Sequence, residues 1–237
     1  FSNLYQFTEA GLALKFAFRE KFAKIADQEF SMGSTYPILW AQVTKGINGF
    51  LGGTYTYTRY DVKLEKSFTI STTGKALVQF SAGYVDGHLP YTLLYAGKGS
   101  YKQNPGNNYF QLSAGNSFET MRFNEFLSNR YASLFCAYHF ERYFYMTKYS
   151  KPRLVLIHNM GWGALNNSRA HVNVPVRTME KGYYESGIVI KDMLNTKIVK
   201  LGLGAFYRYG PYANARFKDN FALKLSMMLS DLIRNFH

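Results

Sequence analysis

Apolar and polar residues alternate one for one through most of this chain, and no other feature limits its fold so strongly. In LALKFAFR (12–19), Leu12, Leu14, Phe16 and Phe18 oppose Ala13, Lys15, Ala17 and Arg19. In TYTYTRYDVKLEKSFTI (54–70), Tyr60, Val62, Leu64, Phe68 and Ile70 oppose Arg59, Asp61, Lys63, Glu65 and Ser67. Near the end, Phe221, Leu223, Leu225, Met227 and Leu229 oppose Lys224, Ser226 and Ser230. Successive side chains of a strand point to opposite faces, so a period of two means strands with one apolar and one polar face. The expected fold class is therefore all-β and antiparallel. Ten strands are expected, at roughly 8–20, 22–32, 36–46, 53–69, 74–86, 131–146, 152–165, 182–193, 196–209 and 219–233. Many exceed the ~5–6 residues usual in soluble sheets and reach the ~9–11 that cross a bilayer at a tilt.

The connections sharpen this. STTG (71–74) and LNT (194–196) are tight, whereas 45–53, 166–182 and 210–220 are long, in near alternation. Tight turns at one end and long loops at the other are the arrangement of an outer-membrane β-barrel. Segment 87–130 is far longer than the ~12–15 residues at which structureless loops become unusual. It is rich in Phe, Tyr and Leu, so it must pack on something, and a barrel lumen is the expected place. No composition shift or linker divides the chain, which reads as one barrel segment over 1–237.

In such a barrel the apolar face meets lipid and the polar face lines the lumen. The lumen wall is then expected to carry Arg59, Asp61, Lys63, Glu65, His139, Glu141, Glu185, Lys200 and Arg208. Gly202 and Gly204, and the GWG at 161–163, fall where a strand admits close backbone approach. Aromatic girdles are expected from Tyr55, Tyr57, Tyr143, Phe144, Tyr145, Tyr183, Tyr184, Tyr207 and Tyr209. Aromatics make up 18% of the chain, 20 Tyr and 20 Phe against 2 Trp, although mean hydropathy is only −0.22. The formal net charge of +13 points to an acidic partner, here outer-membrane lipid and lipopolysaccharide.

Other chemistries find little. The single cysteine, Cys136, excludes an internal disulfide framework and any Cys-cluster metal site. Pairs such as Asp27 with Glu29, or His139 with Glu141, are too few ligands for a metal centre, and no cofactor is expected. GLGAFYRYG (202–210) lies on a strand rather than at a strand-to-helix turn, so it is no nucleotide cradle. Basic residues are dispersed without a nucleic-acid-binding motif, so nucleic acid is not an expected partner. The histidines are His88, His139, His158, His171 and His237, and there is no G-x-S-x-G. No catalytic residue is assigned, and the hydrolase alternative rests on His139 or His158 with a nearby serine. No run of ~18 apolar residues offers a transmembrane helix, and no signal peptide is read at the N-terminus.

The stretch NEFLSNRYASLFCAYHF (124–140) joins the long loop to the next strand. Arg122, Glu125 and Arg130 are the loop's ionisable groups there. Inside a lumen they need partners, since an unpaired buried charge is strongly unfavourable. In the strand that follows, Leu134, Cys136, Tyr138 and Phe140 are expected to face lipid, with Ser133 and His139 facing the lumen.

NEFLSNRYASLF with the later YHF resembles a signature of a Bacteroidota outer-membrane family of unknown function. There the run is E-F-[VL]-S-D-R-Y-x-S-L followed by H-H-F; here Asn129 stands for the Asp and Tyr138-His139 for His-His. GYYESGIVIKDML, LGAFYRYG and AGYVDGHLPYTLL fit the same family, and the resemblance spans about residues 20–235. It implies a carboxypeptidase-regulatory-like domain ahead of a C-terminal barrel similar to the BamA-type superfamily. That barrel has sixteen antiparallel strands, and the ten here would be the last ten, too few to close it alone. The long loop would then occupy the place of the superfamily's lumen-inserted sixth extracellular loop, although that loop's Val-Arg-Gly-Phe tip is absent.

The expectation is an integral bacterial outer-membrane β-barrel protein, not an enzyme. Its role would be BamA-like, in outer-membrane biogenesis: assembly, insertion or translocation of protein or lipid. The working part would be a seam edged by the last strand, with Phe221, Leu223, Leu225, Met227 and Leu229. The alternative is an accessory barrel that anchors a periplasmic domain or other outer-membrane or periplasmic subunits; a membrane-embedded hydrolase ranks below both.

Overall fold

The computed structural model describes residues 5–25, 28–70, 72–87, 89–101, 110–113, 115–166, 177–196 and 199–229. The N-terminal strands are β1 (Glu9–Ala17), β2 (Lys21–Ile25), β3 (Gln28–Gly33), β4 (Ile38–Gly46), β5 (Tyr57–Ile70) and β6 (Gly74–Gly87). Among the described residues of the long loop lie five short strands: β7 (Tyr95–Ala96), β8 (Gly99–Tyr101), β9 (Phe110–Leu112), β10 (Phe118–Arg122) and β11 (Leu127–Ser128). The chain then continues through β12 (Arg130–Tyr143), β13 (Arg153–Ala164), β14 (Tyr183–Asn195), β15 (Val199–Tyr209) and β16 (Phe221–Leu229).

One large sheet dominates, in the order β1-β4-β5-β6-β12-β13-β14-β15-β16-β9. The first nine members form an antiparallel meander, each strand beside the next long strand in the chain. Among the described residues the sheet is open: β1 and β16 do not pair, and no closed barrel is found. The outer edge of β16 is instead taken in parallel by β9, with Leu223 opposite Phe110 and Leu225 opposite Leu112.

One expected strand is corrected. Residues 22–32 are not a strand of the large sheet but most of a hairpin, β2 against β3. The reason is pairing. β1 and β4 bond each other directly from Glu9–Gly46 to Ala17–Ile38, which leaves no edge between them for a third strand. Boundaries also move: β1 ends at Ala17 rather than 20, β5 begins at Tyr57 rather than 53, and β12 ends at Tyr143 rather than 146.

Which face is apolar decides what the sheet is for. On β5, Tyr60, Val62, Leu64, Phe68 and Ile70 are exposed, and Leu12, Leu14 and Phe16 on β1 are 63–66% exposed. The opposite face holds the buried polar groups Gln79, Ser81, Ser133, Asn159, Glu185, Arg208 and Lys224. The sheet is therefore inverted relative to a water-soluble one. Fully burying a large aliphatic or aromatic side chain stabilises by roughly 1.5–3 kcal/mol, and here many are withheld from the interior.

The loops sort by end only in part, because the end with the tight turns also carries a long excursion, 18–37. One end carries the β5–β6 and β14–β15 connections, 144–152 and the β2–β3 hairpin. The other carries 47–56, the long loop, 165–182 and 210–220.

Candidate functional site

The long loop lies across the polar face and is bonded to it strand by strand. At its start Arg59 on β5 donates to the Leu93 carbonyl, and its guanidinium sits 4.8 Å from the Tyr95 ring centroid. Burial, with Asp61 beside it, holds the Tyr95 phenol above its ordinary range. Further along, Asn159 on β13 donates to the Ser117 carbonyl at 3.2 Å. The Glu185 carboxylate on β14 accepts the main-chain N–H groups of Glu119 and Thr120 at 2.9 and 3.0 Å. It also accepts the Thr120 hydroxyl at 2.6 Å and the Asn159 amide at 2.8 Å. Four donors on one fully buried carboxylate offset much of its desolvation.

Two buried ion pairs continue the attachment. Glu125 accepts from Arg208 on β15 at 2.8 Å, with Arg177 a further partner at 3.7 Å. The Arg208 guanidinium also lies 4.7 Å from the Tyr183 ring centroid. On β16 the Lys224 ammonium, fully buried, sits 3.2 Å from the Glu119 carboxylate. It donates to the Ser100 carbonyl at 3.1 Å, and Ser100 and Ser113 donate in turn to Glu119.

Between these polar anchors lies a small apolar core. Phe118, Met121 and Phe126 of the loop pack with Phe135 and Tyr183 of the wall. Glycine makes the approach possible: a Cβ on Gly161 would stand 2.7 Å from the Phe118 ring, and one on Gly163 2.8 Å from the Ser128 hydroxyl. The GWG motif thus leaves room for the loop, with Trp162 between them on the apolar face.

The placement of the sequence candidates is mixed. Arg59, Asp61, Lys63 and Glu65 share the polar face of β5, and Lys63 lies over Trp40 at 3.6 Å. Glu185 and Arg208 are buried contacts to the loop, and Lys200 is half-buried on the same face of β15. Gly202 and Gly204 are buried there too. His139 is half-buried, whereas Glu141 is exposed in an ion pair with Lys75.

Of the loop candidates only Glu125 reaches a buried partner. Arg122 is exposed beside the turn at Asn124, and Arg130 falls on the apolar-face parity of β12 and is exposed. Two girdle candidates turn the other way. Tyr57 is buried in contact with Glu9, and Tyr183 is buried with its hydroxyl 2.7 Å from Thr120 Oγ1. In the last strand Phe221, Leu223 and Met227 are exposed on the apolar face. Asp27, His88, His171 and residues 230–237 lie outside the described residues, as does the Leu229 side chain.

Sequence reasoning passed over Glu119 and did not single out Lys224 as a site. Lys224 carried a signal, as a cation at a polar position of the last strand. Glu119 did not: Phe118, Glu119, Thr120 and Met121 are all buried, so β10 is covered on both sides and shows no alternation.

A family model described as "Family of unknown function (DUF5686) C-terminal domain" matches residues 2–190, about four fifths of the chain. No curated protein and no solved structure matches.

Proposed function

The chain belongs to the DUF5686 family through its C-terminal domain, and from that premise we propose that it is the membrane-embedded part of an outer-membrane β-barrel protein. The observation that carries the proposal is the inverted sheet, with Leu12, Leu14, Phe16 and Ile188 outward and Glu185, Arg208 and Lys224 inward. In water such a sheet forfeits several kcal/mol of hydrophobic stabilisation. In lipid the same face is satisfied and the polar face becomes a lumen. Lengths agree: β5, β6 and β12 have 14 residues each, above the ~9–11 that span a tilted bilayer.

Within that reading we infer a BamA-like role in assembling, inserting or moving protein or lipid at the outer membrane, with lipid and lipopolysaccharide as surroundings. The edge of β16 supports it. Among the described residues three of β9 pair there, in parallel, and the rest of that edge takes no other strand, which leaves it open to one. The accessory-barrel reading draws on a different observation, the buried Lys224–Glu119 pair that ties the loop to the same strand as a fixed plug would be tied.

Extraction and electrophoresis test the first step. The protein is expected in the detergent-extracted outer-membrane fraction with heat-modifiable gel mobility; solubility without detergent ends the barrel reading. For the second step the protein is reconstituted in liposomes with an unfolded barrel client. Faster client insertion supports the BamA-like role, and no effect on insertion favours the accessory barrel.

A further inference from the structure

The apolar face carries one polar cluster that the lumen reading does not use. His158 on β13 and Ser186 on β14 are register partners, and His158 Nδ1 lies 2.9 Å from Ser186 Oγ. The Tyr209 hydroxyl on β15 is 3.1 Å from the same nitrogen and 3.3 Å from the same oxygen. All three side chains are half-buried, within reach from outside the sheet. Leu156, Ile188 and Leu203, all exposed, lie on the same face toward the tight-turn end. Trp162, Tyr184 and Tyr209 lie toward the long-loop end, with Tyr184 and Tyr209 stacked at 6.1 Å. The cluster therefore sits where an aliphatic belt meets an aromatic band. In a bilayer that is the depth of the lipid ester carbonyls.

We propose that Ser186, His158 and Tyr209 form a membrane-facing acyl-ester hydrolase site whose substrates are long-chain carboxylic esters. The proposal rests on the membrane reading for its substrate. With the proton on Nε2, His158 Nδ1 accepts from Ser186 and Tyr209 donates to Ser186, a chain of donors that ends on a base. Ser186 Oγ attacks the ester carbonyl carbon while its proton passes to Nδ1, and Tyr209 donates to the oxyanion. The ester C–O bond breaks, and the leaving alcohol takes the proton from Nδ1. Water then attacks the acyl-serine, giving its proton to His158. The acyl–Oγ bond breaks, the acid departs and Ser186 recovers its proton. Water is the only co-reactant, and ester plus water yields acid plus alcohol. The site is a dyad with a phenol donor and has no carboxylate behind the histidine among the described residues.

The intact protein, purified in detergent with heat-modifiable mobility as proof of folding, is treated with a fluorophosphonate probe and with micellar p-nitrophenyl palmitate. Labelling is expected on the peptide that contains Ser186, with ester hydrolysis above buffer. Ser186→Ala and His158→Gln are expected to abolish both, and Tyr209→Phe to slow hydrolysis by about 10²-fold, as for loss of one oxyanion donor. A folded protein that neither labels nor hydrolyses overturns the site and leaves the barrel intact, the cluster being a girdle hydrogen-bond network only. Activity that survives Ser186→Ala overturns it as well. A protein soluble without detergent that still labels at Ser186 supports the dyad while removing the barrel reading.

Discussion

The Glu185 carboxylate accepts the main-chain N–H of Thr120 at 3.0 Å and its hydroxyl at 2.6 Å, across 65 positions of sequence. This joins the start of a wall strand, β14, to the last third of the long loop, and the loop's attachment depends on it.

Replacing Glu185 by Ala leaves the Glu119 and Thr120 N–H groups without their acceptor and the Asn159 amide with the Ser117 carbonyl alone. Each unsatisfied buried donor costs roughly 1–3 kcal/mol, so the loop is expected to loosen while the sheet survives. Hydrogen exchange over 118–122 should quicken by tenfold or more, with β12–β14 unchanged. Unaltered protection in 118–122 would argue against Glu185 as the anchor.

Lys224 and Glu119 form a pair in which loss of one partner is worse than loss of both. Lys224→Met alone is expected to destabilise by about 3–5 kcal/mol, since it leaves a buried carboxylate uncompensated. Adding Glu119→Gln should return much of that. The check is a double-mutant cycle on urea unfolding in detergent, and additive effects would mean that the two charges do not meet.

Gly161 tests the docking surface itself. A Cβ there meets the Phe118 ring at 2.7 Å, whereas one on Gly115 meets nothing within 4 Å. Gly161→Val is expected to open the loop to limited proteolysis between β6 and β12, and Gly115→Ala to leave the digestion pattern unchanged. Equal patterns for the two variants would contradict the close packing of loop on wall.

Ile188 tests the outward face. It is 52% exposed on the apolar side of β14. In lipid, Ile188→Arg is expected to lower folding stability in vesicles by roughly 2–4 kcal/mol if the residue lies near the bilayer midplane. In water an exposed arginine would be nearly neutral. The readout is the denaturant midpoint of the band with folded mobility, and a value unchanged from the parent would place this face in water.

Much of the fold was legible because side-chain direction along a strand is a local property. The period of two gave the faces of β5, β15 and β16, and it placed Glu185 and Arg208 on the polar side. It failed at residues 22–32, where the outcome turned on whether β1 and β4 claimed each other's edges. It failed again at Tyr57 and Tyr183, whose position near strand ends did not reveal which face they occupied. Arg122 and Arg130 read, like Glu125, as loop charges in need of buried partners, but both arginines are exposed. The cation nearest Glu125 is Arg208, 83 positions away, with Arg177 a further partner at 3.7 Å.

The sequence by itself determined an all-β chain with a sided sheet, tight turns at one end and an overlong loop that had to pack on something. Those features follow from bond geometry and from the separation of apolar and polar residues, both written into neighbouring positions. Only the tertiary structure decided which loop atoms meet which wall, because register and loop closure bring together groups far apart in sequence. Glu119 found Lys224, Thr120 found Glu185, and a histidine named from sequence found its serine only when β13 and β14 paired with His158 opposite Ser186.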